Sequence, residues 1–255
     1  ALLDGPTLSF SKDHWIATTG TEMITVDGNT APGWTGMPIL AGQTVAMGTP
    51  SGARAYLAVR GGFDVPVVLG SRSTNLVSGF GGFHGRALVA GDSVTVGEHN
   101  LAGLPDGALK HPGPPVTSRL LVVRVVLGSD DFSRATLQVF LDSEFRMSPR
   151  SNHIGIRFDG PAIESRSRGD LISRPMPVGG VQVTPAGQPV VLLAARGTIG
   201  GYPLIATAIS CDVWRLGQLR PGDSVRFEAV SVELGREISL EAYRELETQQ
   251  PIAGR

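Results

Sequence analysis

Glycine and proline set the tightest limit on what this chain can fold into. It carries 34 glycines and 18 prolines among 255 residues, about a fifth of the whole. Glycine weakens a helix interior and proline breaks it. Such a density fits many short strands joined by tight turns. Hydrophobic residues make up 41% of the chain, enough to bury a sizeable core. The length allows one large domain or two small ones.

Charge narrows the choice further. Charged residues are 18% and the formal net charge is -1. Nucleic-acid and membrane-surface partners normally require a basic excess, so neither is expected. No apolar run approaches the roughly 20 residues that span a bilayer. The chain opens Ala1-Leu2-Leu3 with no charged-then-apolar leader, so export is not expected and the cytoplasm is the default location. The single cysteine, Cys211, excludes an internal disulfide and a cysteine-rich metal site. No histidine pair has metal-ligand spacing.

Strand-sized runs dominate the first hundred residues: Thr7 to Phe10, Trp15 to Thr18, Met23 to Val26, Gln43 to Met47, Ala55 to Val59 and Ser93 to Val96. Asp27-Gly28 closes the third as a hairpin signal. The nearly continuous apolar run Ala55 to Val59 predicts burial on both faces. Leu104 to Ser118 holds four prolines and reads as a linker. We therefore expect an N-terminal β lobe over residues 1–103, a linker over 104–118 and a C-terminal lobe over 119–255. In the second lobe, strands are expected at Leu120 to Leu127, Ile154 to Phe158, Val181 to Val183, Val190 to Ala194, Leu204 to Ile209 and Val225 to Leu234. Short helices are expected at Phe132 to Leu141 and Asp212 to Leu219. Arg236 to Thr248 reads as an amphipathic helix with a solvated charged face. Gly91-Asp92-Ser93-Val94 echoes Gly222-Asp223-Ser224-Val225, which would fit a turn entering a strand in two related barrels.

Two stretches can carry chemistry. Between Gly61 and Gly85 lie seven glycines, enclosing Gly70-Ser71-Arg72-Ser73-Thr74. Backbone N–H groups in such a loop can form an anion-binding nest, to which Arg72 adds a fork of donors and the hydroxyls add more. Tight turns in a glycine-rich barrel explain the same composition. No Gly-Lys-Ser/Thr follows, so it is not a phosphate-binding P-loop. The second stretch, Gly179 to Pro203, places Gln182 and Gln188 near Gly200-Gly201-Tyr202-Pro203. An amide side chain offers donor and acceptor together, suited to a urea, lactam or carboxamide. Turn-forming roles and a buried phenol are the alternative for these residues. Arg150 and Arg157 are further candidate cations, and His84 and His153 fall near the two stretches. No Gly-x-Ser-x-Gly elbow is present.

Taken together, these segments resemble one family. Tyr56-Leu57-Ala58-Val59 with Gly61-Gly62, then Leu69 to Thr74, then Phe80-Gly81-Gly82 with Gly85-Arg86 and Gly91-Asp92 resemble the first signature of the allophanate hydrolase subunit 2 family. That family is also known as biotin-dependent carboxyltransferase-like, or as the C-type subunit of 5-oxoprolinase. Ser151 with Gly155, Arg157 and Gly160-Pro161, then Gly179-Gly180 with Gln182-Val183, Gly187 to Ala194, Gly200 to Pro203 and Gln218 to Phe227 resemble its second half.

The resemblance implies a mainly β fold of cyclophilin-like barrel character, in two β-rich lobes with few short helices. It implies a member of an ATP-dependent amide- or lactam-hydrolysing complex. The partner would be a subunit 1 or B-type protein, with an A-type protein as third member. ATP would bind in the complex. Arg72, Gln182 and Tyr202 would be catalytic. Gly70, Ser71, Ser73, Thr74, Arg157, Gln188, Thr198, Gly200 and Gly201 would bind substrate, and no metal is implied. A carboxyltransferase module served by biotin on a separate carrier, and a non-catalytic regulatory module, are the alternatives. The sequence departs from the family pattern at Ser151-Asn152-His153, at Ala195 where an aspartate is usual, and at Thr198-Ile199. The family's N-terminal Gln-Asp-x-Gly-Arg motif has no counterpart here. One geometric expectation follows: both glycine-rich stretches furnish a common pocket.

Overall fold

A computed structural model describes residues 4–98, 107–108, 120–128, 131–167 and 171–247. Apart from Gly107–Ala108, the expected linker over 104–118 lies outside the described residues.

The first eight strands are β1 (Thr7–Ser9), β2 (His14–Thr19), β3 (Met23–Val26), β4 (Asn29–Pro32), β5 (Thr35–Ile39), β6 (Thr44–Ala46), β7 (Tyr56–Val59) and β8 (Gly107–Ala108). They form two four-stranded sheets, ordered β1-β6-β3-β4 and β7-β2-β5-β8. Alternation sets the buried face. Along β2, His14, Ile16 and Thr18 are buried while the residues between them are half-buried. Ile16 and Val59 from one sheet pack with Ile24 and Val45 from the other, and Phe10 and Ile39 complete a single core. The sheets therefore form a sandwich. Val26 and Asn29 pair across Asp27 (φ 49°) and Gly28 (φ 79°), the two-residue turn that the Asp-Gly signal predicts. In contrast, β7 is not buried on both faces: it edges its sheet, and Tyr56 and Ala58 are exposed.

The rest of the chain runs β9 (Leu120–Leu127), α1 (Arg134–Asp142), β10 (Phe145–Met147), β11 (Gly155–Asp159), β12 (Arg174–Pro175), β13 (Gly180–Val183), β14 (Pro189–Leu192), β15 (Ile199–Gly200), β16 (Leu204–Ala208), α2 (Ser210–Leu216), β17 (Ser224–Ala229) and α3 (Val232–Glu247). Seven of these strands close a barrel in the order β10-β11-β14-β13-β16-β9-β17, with β17 returning to β10. All of its pairings are antiparallel except β17 on β9. Leu121, Val123 and Val125 point inward from β9, and Val225 and Phe227 do so from β17. Phe227 stacks on Phe140 of α1 at 4.6 Å and meets Phe145 and Phe158 at 5.9 and 6.1 Å. Helix α1, capped by Ser133 Oγ accepting from Thr136 N, thus plugs the barrel through Phe140.

Arg124 interrupts the apolar run of β9 because it lies on the outer face. There it meets Asp212 of α2, whose buried carboxylate accepts from Arg124 N, Nε and Nη2 at 2.9, 2.9 and 2.6 Å and from Arg215 Nη1 at 3.2 Å. Burial alone would raise the Asp212 carboxyl; the bonds from Arg124 outweigh it and hold the carboxyl below its usual range.

The echoed turn is real but does not mark two barrels. Val89 N donates to Asp92 Oδ2 (2.7 Å) and Asp92 N donates to Val89 O (3.1 Å). Arg220 and Asp223 repeat both bonds at 2.7 and 3.0 Å. A third copy, with Leu40 N on Gln43 Oε1 (2.8 Å) and Gln43 N on Leu40 O (3.1 Å), carries no matching signature because glutamine replaces aspartate. After Asp223 the chain enters β17, whereas Ser93 to Val96 makes only an isolated bridge from Val96 to Phe63. The expected strand from Val225 also ends early, at Ala229, because α3 begins at Val232.

Loops 50–54 and 217–220 join sandwich to barrel. Arg220 Nη2 donates to the carbonyls of Pro50, Ser51 and Gly52 at 2.6, 3.2 and 2.9 Å. Ala53 N donates to Gln218 O (2.9 Å), Arg54 N to Gln218 Oε1 (3.0 Å), and Arg54 Nη1 to Gly217 O.

Substituting Asp212→Asn leaves Arg124 without its ionised partner. Both arginines are about a third exposed, so the loss is discounted to about 2 kcal/mol. Denaturant unfolding at neutral pH checks it. Because the folded carboxyl sits below its unfolded value, this contribution is present above about pH 4 and fades as pH falls through the lowered folded value. The gap between wild type and variant therefore narrows in acid.

Candidate functional site

Residues 60–98 contain no regular strand and are held by bridges, turns and side-chain bonds. Val68 and Ser71 exchange two backbone hydrogen bonds (2.9 and 3.0 Å) across Leu69 (φ 51°) and Gly70 (φ 78°). Ser73 N donates to Ser71 Oγ at 3.0 Å. Two N–H groups of the expected nest, those of Ser71 and Ser73, are thus engaged within the loop. Arg72 Nη1 donates to Val65 O at 2.9 Å and lies 3.7 Å from Asp64 Oδ1. Its guanidinium, half exposed, lines a cavity of about 350 Å³ with Phe63, Asp64, Ser73 and Gly97. Thr74 packs against Gly82, where a Cβ would lie 2.0 Å from Oγ1.

An adjoining cavity of about 340 Å³ is walled by Val68, Phe80, Phe83, His84 and Thr95. His84 (φ 53°) meets the Phe83 ring edge-on at 4.5 Å, and Arg86 lies 5.3 Å from that ring's centre. Arg86 also forks onto Asp92 with bonds of 2.7 and 2.8 Å. These bonds, joined by one from Val89 N, hold the Asp92 carboxyl down to about 2. Six large apolar side chains of this segment, Val67, Leu69, Leu76, Val77, Leu88 and Val89, are exposed.

The barrel gathers the second set. Gln182 on β13 is buried, with Nε2 3.1 Å from Met176 Sδ. A Cβ at Gly200 would lie 3.1 Å from that Nε2, and Thr198 O accepts from Met176 N at 2.8 Å. Gln182, Thr198 and Gly200 therefore surround Met176. Gln188 directly precedes β14, the strand beside β13; its Oε1 is buried with no hydrogen-bond partner among the described residues. Tyr202 is half exposed and lines a cavity of about 490 Å³ with Glu164, Ser165, Ser167 and Thr184. Gly201 sits beside Leu171 O. Arg157 is exposed on β11, its N–H donating to Ser151 Oγ at 3.0 Å.

Arg72 and the glutamines do not share a cavity among these. The walls around Arg72 all come from residues 61–97, and those around Tyr202 all come from the barrel. A further cleft of about 360 Å³ does draw on both parts: Trp34, Arg54 and Tyr56 face His153, Leu193 and Trp214 across it. One departure from the family pattern, His153, lines this cleft, and its carbonyl accepts from the N–H of a second, Ala195, at 3.3 Å. Single-sequence reading passes over Arg54 and both tryptophans. They share no motif, and only the Gln218 turn, which docks on residues 53–54, brings them together. Among the described residues no group of three or more histidine, cysteine or carboxylate side chains could hold a metal ion.

The sandwich followed by a seven-stranded barrel is a fold shared with part of Kluyveromyces lactis urea carboxylase, whose crystal structure superposes with a TM-score of 0.89 at 24% identity. Residues 1–229 match the family "carboxyltransferase domain, subdomain A and B", and the chain belongs to it. It is 36% identical to the C-type subunit of 5-oxoprolinase from Escherichia coli over 236 residues, 89% of this chain and 73% of that protein. It is 30% identical to urea amidolyase of Saccharomyces cerevisiae over 92% of its own length but 14% of the yeast protein. The crystal structure of Kluyveromyces lactis urea amidolyase superposes with a TM-score of 0.89 over 99% of this chain, at 24% identity, and the chain spans 17% of that protein. The resemblance read from the motifs therefore holds. No helix among the described residues is long and apolar enough to cross a membrane.

At Gly85 (φ 68°) a Cβ would lie 2.1 Å from Gly79 O. Gly85→Ala should therefore spring the 79–85 loop at a cost of about 2 kcal/mol. Hydrogen exchange should show faster exchange at residues 79–86 and little change in the barrel.

Proposed function

We propose that this chain is the C-type member of a cytoplasmic, ATP-dependent complex that opens a cyclic or linear amide, with 5-oxoproline as the leading substrate. The observation that carries this reading is the 36% identity to the C-type 5-oxoprolinase subunit across nine-tenths of the chain. A subunit 1 or B-type protein is its partner and an A-type protein the third member. The exposed apolar surface of residues 67–89 supports a partner-dependent reading, because a lone soluble domain rarely leaves so many large apolar side chains in water. ATP binds in the assembled complex.

Opening an amide needs a donor set aimed at the oxygen that gains charge. In this reading Arg72, with Ser71, Ser73, Thr74 and the Gly70 backbone, holds that charge or the substrate carboxylate. Arg72 already binds a carbonyl oxygen, Val65 O, which a substrate oxygen can replace. Gln182 and Gln188 orient the amide, whose oxygen takes the γ-phosphoryl group of ATP as ADP leaves. Water then adds to the carbonyl carbon, and the C–N bond breaks as Tyr202 passes to the nitrogen a proton it regains from that water. A second water releases phosphate from the resulting acyl phosphate, with Arg157, Thr198, Gly200 and Gly201 bounding the substrate. Since the Arg72 cavity and the barrel residues are separate here, this reading requires the partner protein to complete the site between them. The expected division into lobes over 1–103 and 119–255 then assigns Arg72 to one lobe and Gln182 and Tyr202 to the other.

A second reading is favoured by the family itself, a carboxyltransferase domain, and by the urea amidolyase relatives. Here carboxybiotin on a separate carrier gives its carboxyl group to a urea-like nitrogen.

Reconstitution with the B- and A-type partners tests both. Glutamate formed from 5-oxoproline and ATP supports the first reading. An assembled complex that forms none, yet carries a biotinylated protein and carboxylates urea, supports the second. Under either, Arg72→Ala should lower turnover about 100-fold while leaving assembly intact. Unchanged turnover would remove Arg72 from the chemistry.

A further inference from the structure

The cleft between sandwich and barrel holds a cation without a counter-ion. Arg54 is part-buried; Nη1 donates to Gly217 O, and no carboxylate pairs with it among the described residues. Its Nε and Nη2 make no hydrogen bond there either. The guanidinium is anchored on Gly217 O, and Arg54 lines the cleft with donors to spare. Among the described residues no aspartate or glutamate lines the cleft, and His153 adds an imidazole to its wall. A half-buried guanidinium with no acid among its described neighbours is a site for a carboxylate, which it can meet with two parallel bonds.

The walls select what carries that carboxylate. Trp34, Tyr56 and Trp214 contribute three aromatic faces, and Val178 and Leu193 add apolar surface. Tyr56 and Trp214 are 57% and 43% exposed, a large aromatic area left to water in one concavity. Trp34 adopts φ 53°, a left-handed conformation that a bulky residue takes only when its surroundings impose it, and one that collects at ligand sites. Aromatic faces stack on flat rings with offset geometry. The cleft, about 360 Å³, admits a ligand of one or two fused rings.

We propose that this cleft binds a flat-ringed carboxylic acid, its ring between Trp34 and Trp214 and its carboxylate on Arg54. Formation of the cleft needs only this chain, so the proposal is independent of the reaction proposed above and of any partner.

The chain's three tryptophans make the test direct, since Trp34 and Trp214 line the cleft and Trp15 does not. Their indole N–H resonances, assigned by single Trp→Phe variants, are followed in the intact protein by ¹⁵N–¹H NMR during titration with 2-naphthoate. We expect saturable shifts of the Trp34 and Trp214 signals, with Kd about 1 mM or tighter, and a stationary Trp15. Benzamide, flat but uncharged, and cyclohexanecarboxylate, charged but not flat, should each bind at least about tenfold more weakly. Arg54→Gln should weaken 2-naphthoate by about tenfold or more; because Arg54 also touches the barrel loop, Trp214→Leu on the exposed wall provides a second loss that spares that contact. Absence of saturable shifts, equal movement of Trp15, or full binding to both variants would overturn the proposal.

Discussion

The position of the sandwich on the barrel depends on Arg220. One guanidinium collects three consecutive carbonyls, those of Pro50, Ser51 and Gly52, while the neighbouring Gln218 meets Ala53 and Arg54 through its backbone and side chain. Hydrogen bonds from a charged donor contribute more than neutral ones, and these are shielded by the parts they join. The same turn that orients Arg220 also feeds β17 into the barrel, since Asp223 closes it on Arg220 N. Seating of the two halves and closure of the barrel are thereby tied to one short segment. The cleft lined by Arg54, Trp34 and Trp214 is a by-product of that seating.

The two glycine-rich stretches solve different problems. Gly200, on the two-stranded β12–β15 sheet beside the barrel, gives room to the Gln182 amide, whose own strand β13 is paired on both sides. In residues 60–98 no ladder exists, and order comes from local devices: the Val68–Ser71 turn, Asn75 accepting from Ser78 N, and the Arg86–Asp92 fork. Such a segment has few buried apolar contacts and yields locally before the barrel does. It also exposes Val67, Leu69, Leu76, Val77, Leu88 and Val89, which matches the partner-dependent function proposed for the family member.

Strong local signals translated well from sequence to structure. Leu120 to Leu127 became β9 without adjustment, and Asp27-Gly28 became the turn of its hairpin. Phe132 to Leu141 and Arg236 to Thr248 located α1 and α3 to within a few residues. Strands β4 and β5 went unread because Pro32, Gly33, Gly36 and Pro38 look like turn chemistry. Gly36 lies close beneath the Trp15 indole, where a Cβ would come 3.1 Å from Nε1. The apolar run of β7 predicts two covered faces, but such a run does not reveal whether its strand has one neighbour or two, and β7 has one. For the site, motif order identified the family, but pairing Arg72 with the glutamines assumed that like composition means a shared location. Arg54 and Trp214, about 160 residues apart, carry no periodicity that could join them.

The parallel pairing of β17 with β9 has a consequence for synthesis. These neighbours are the first and last barrel strands in chain order, separated by about a hundred residues. A nascent chain halted before Ser224 exposes one side of β9 and one side of β10, with the Phe140–Phe145 cluster open to water. Such edges template non-native pairing. Closure of so distant a loop is also slow. The ribosome must therefore release nearly the whole barrel before any of it can be sealed, which makes the last strand the one that commits the fold.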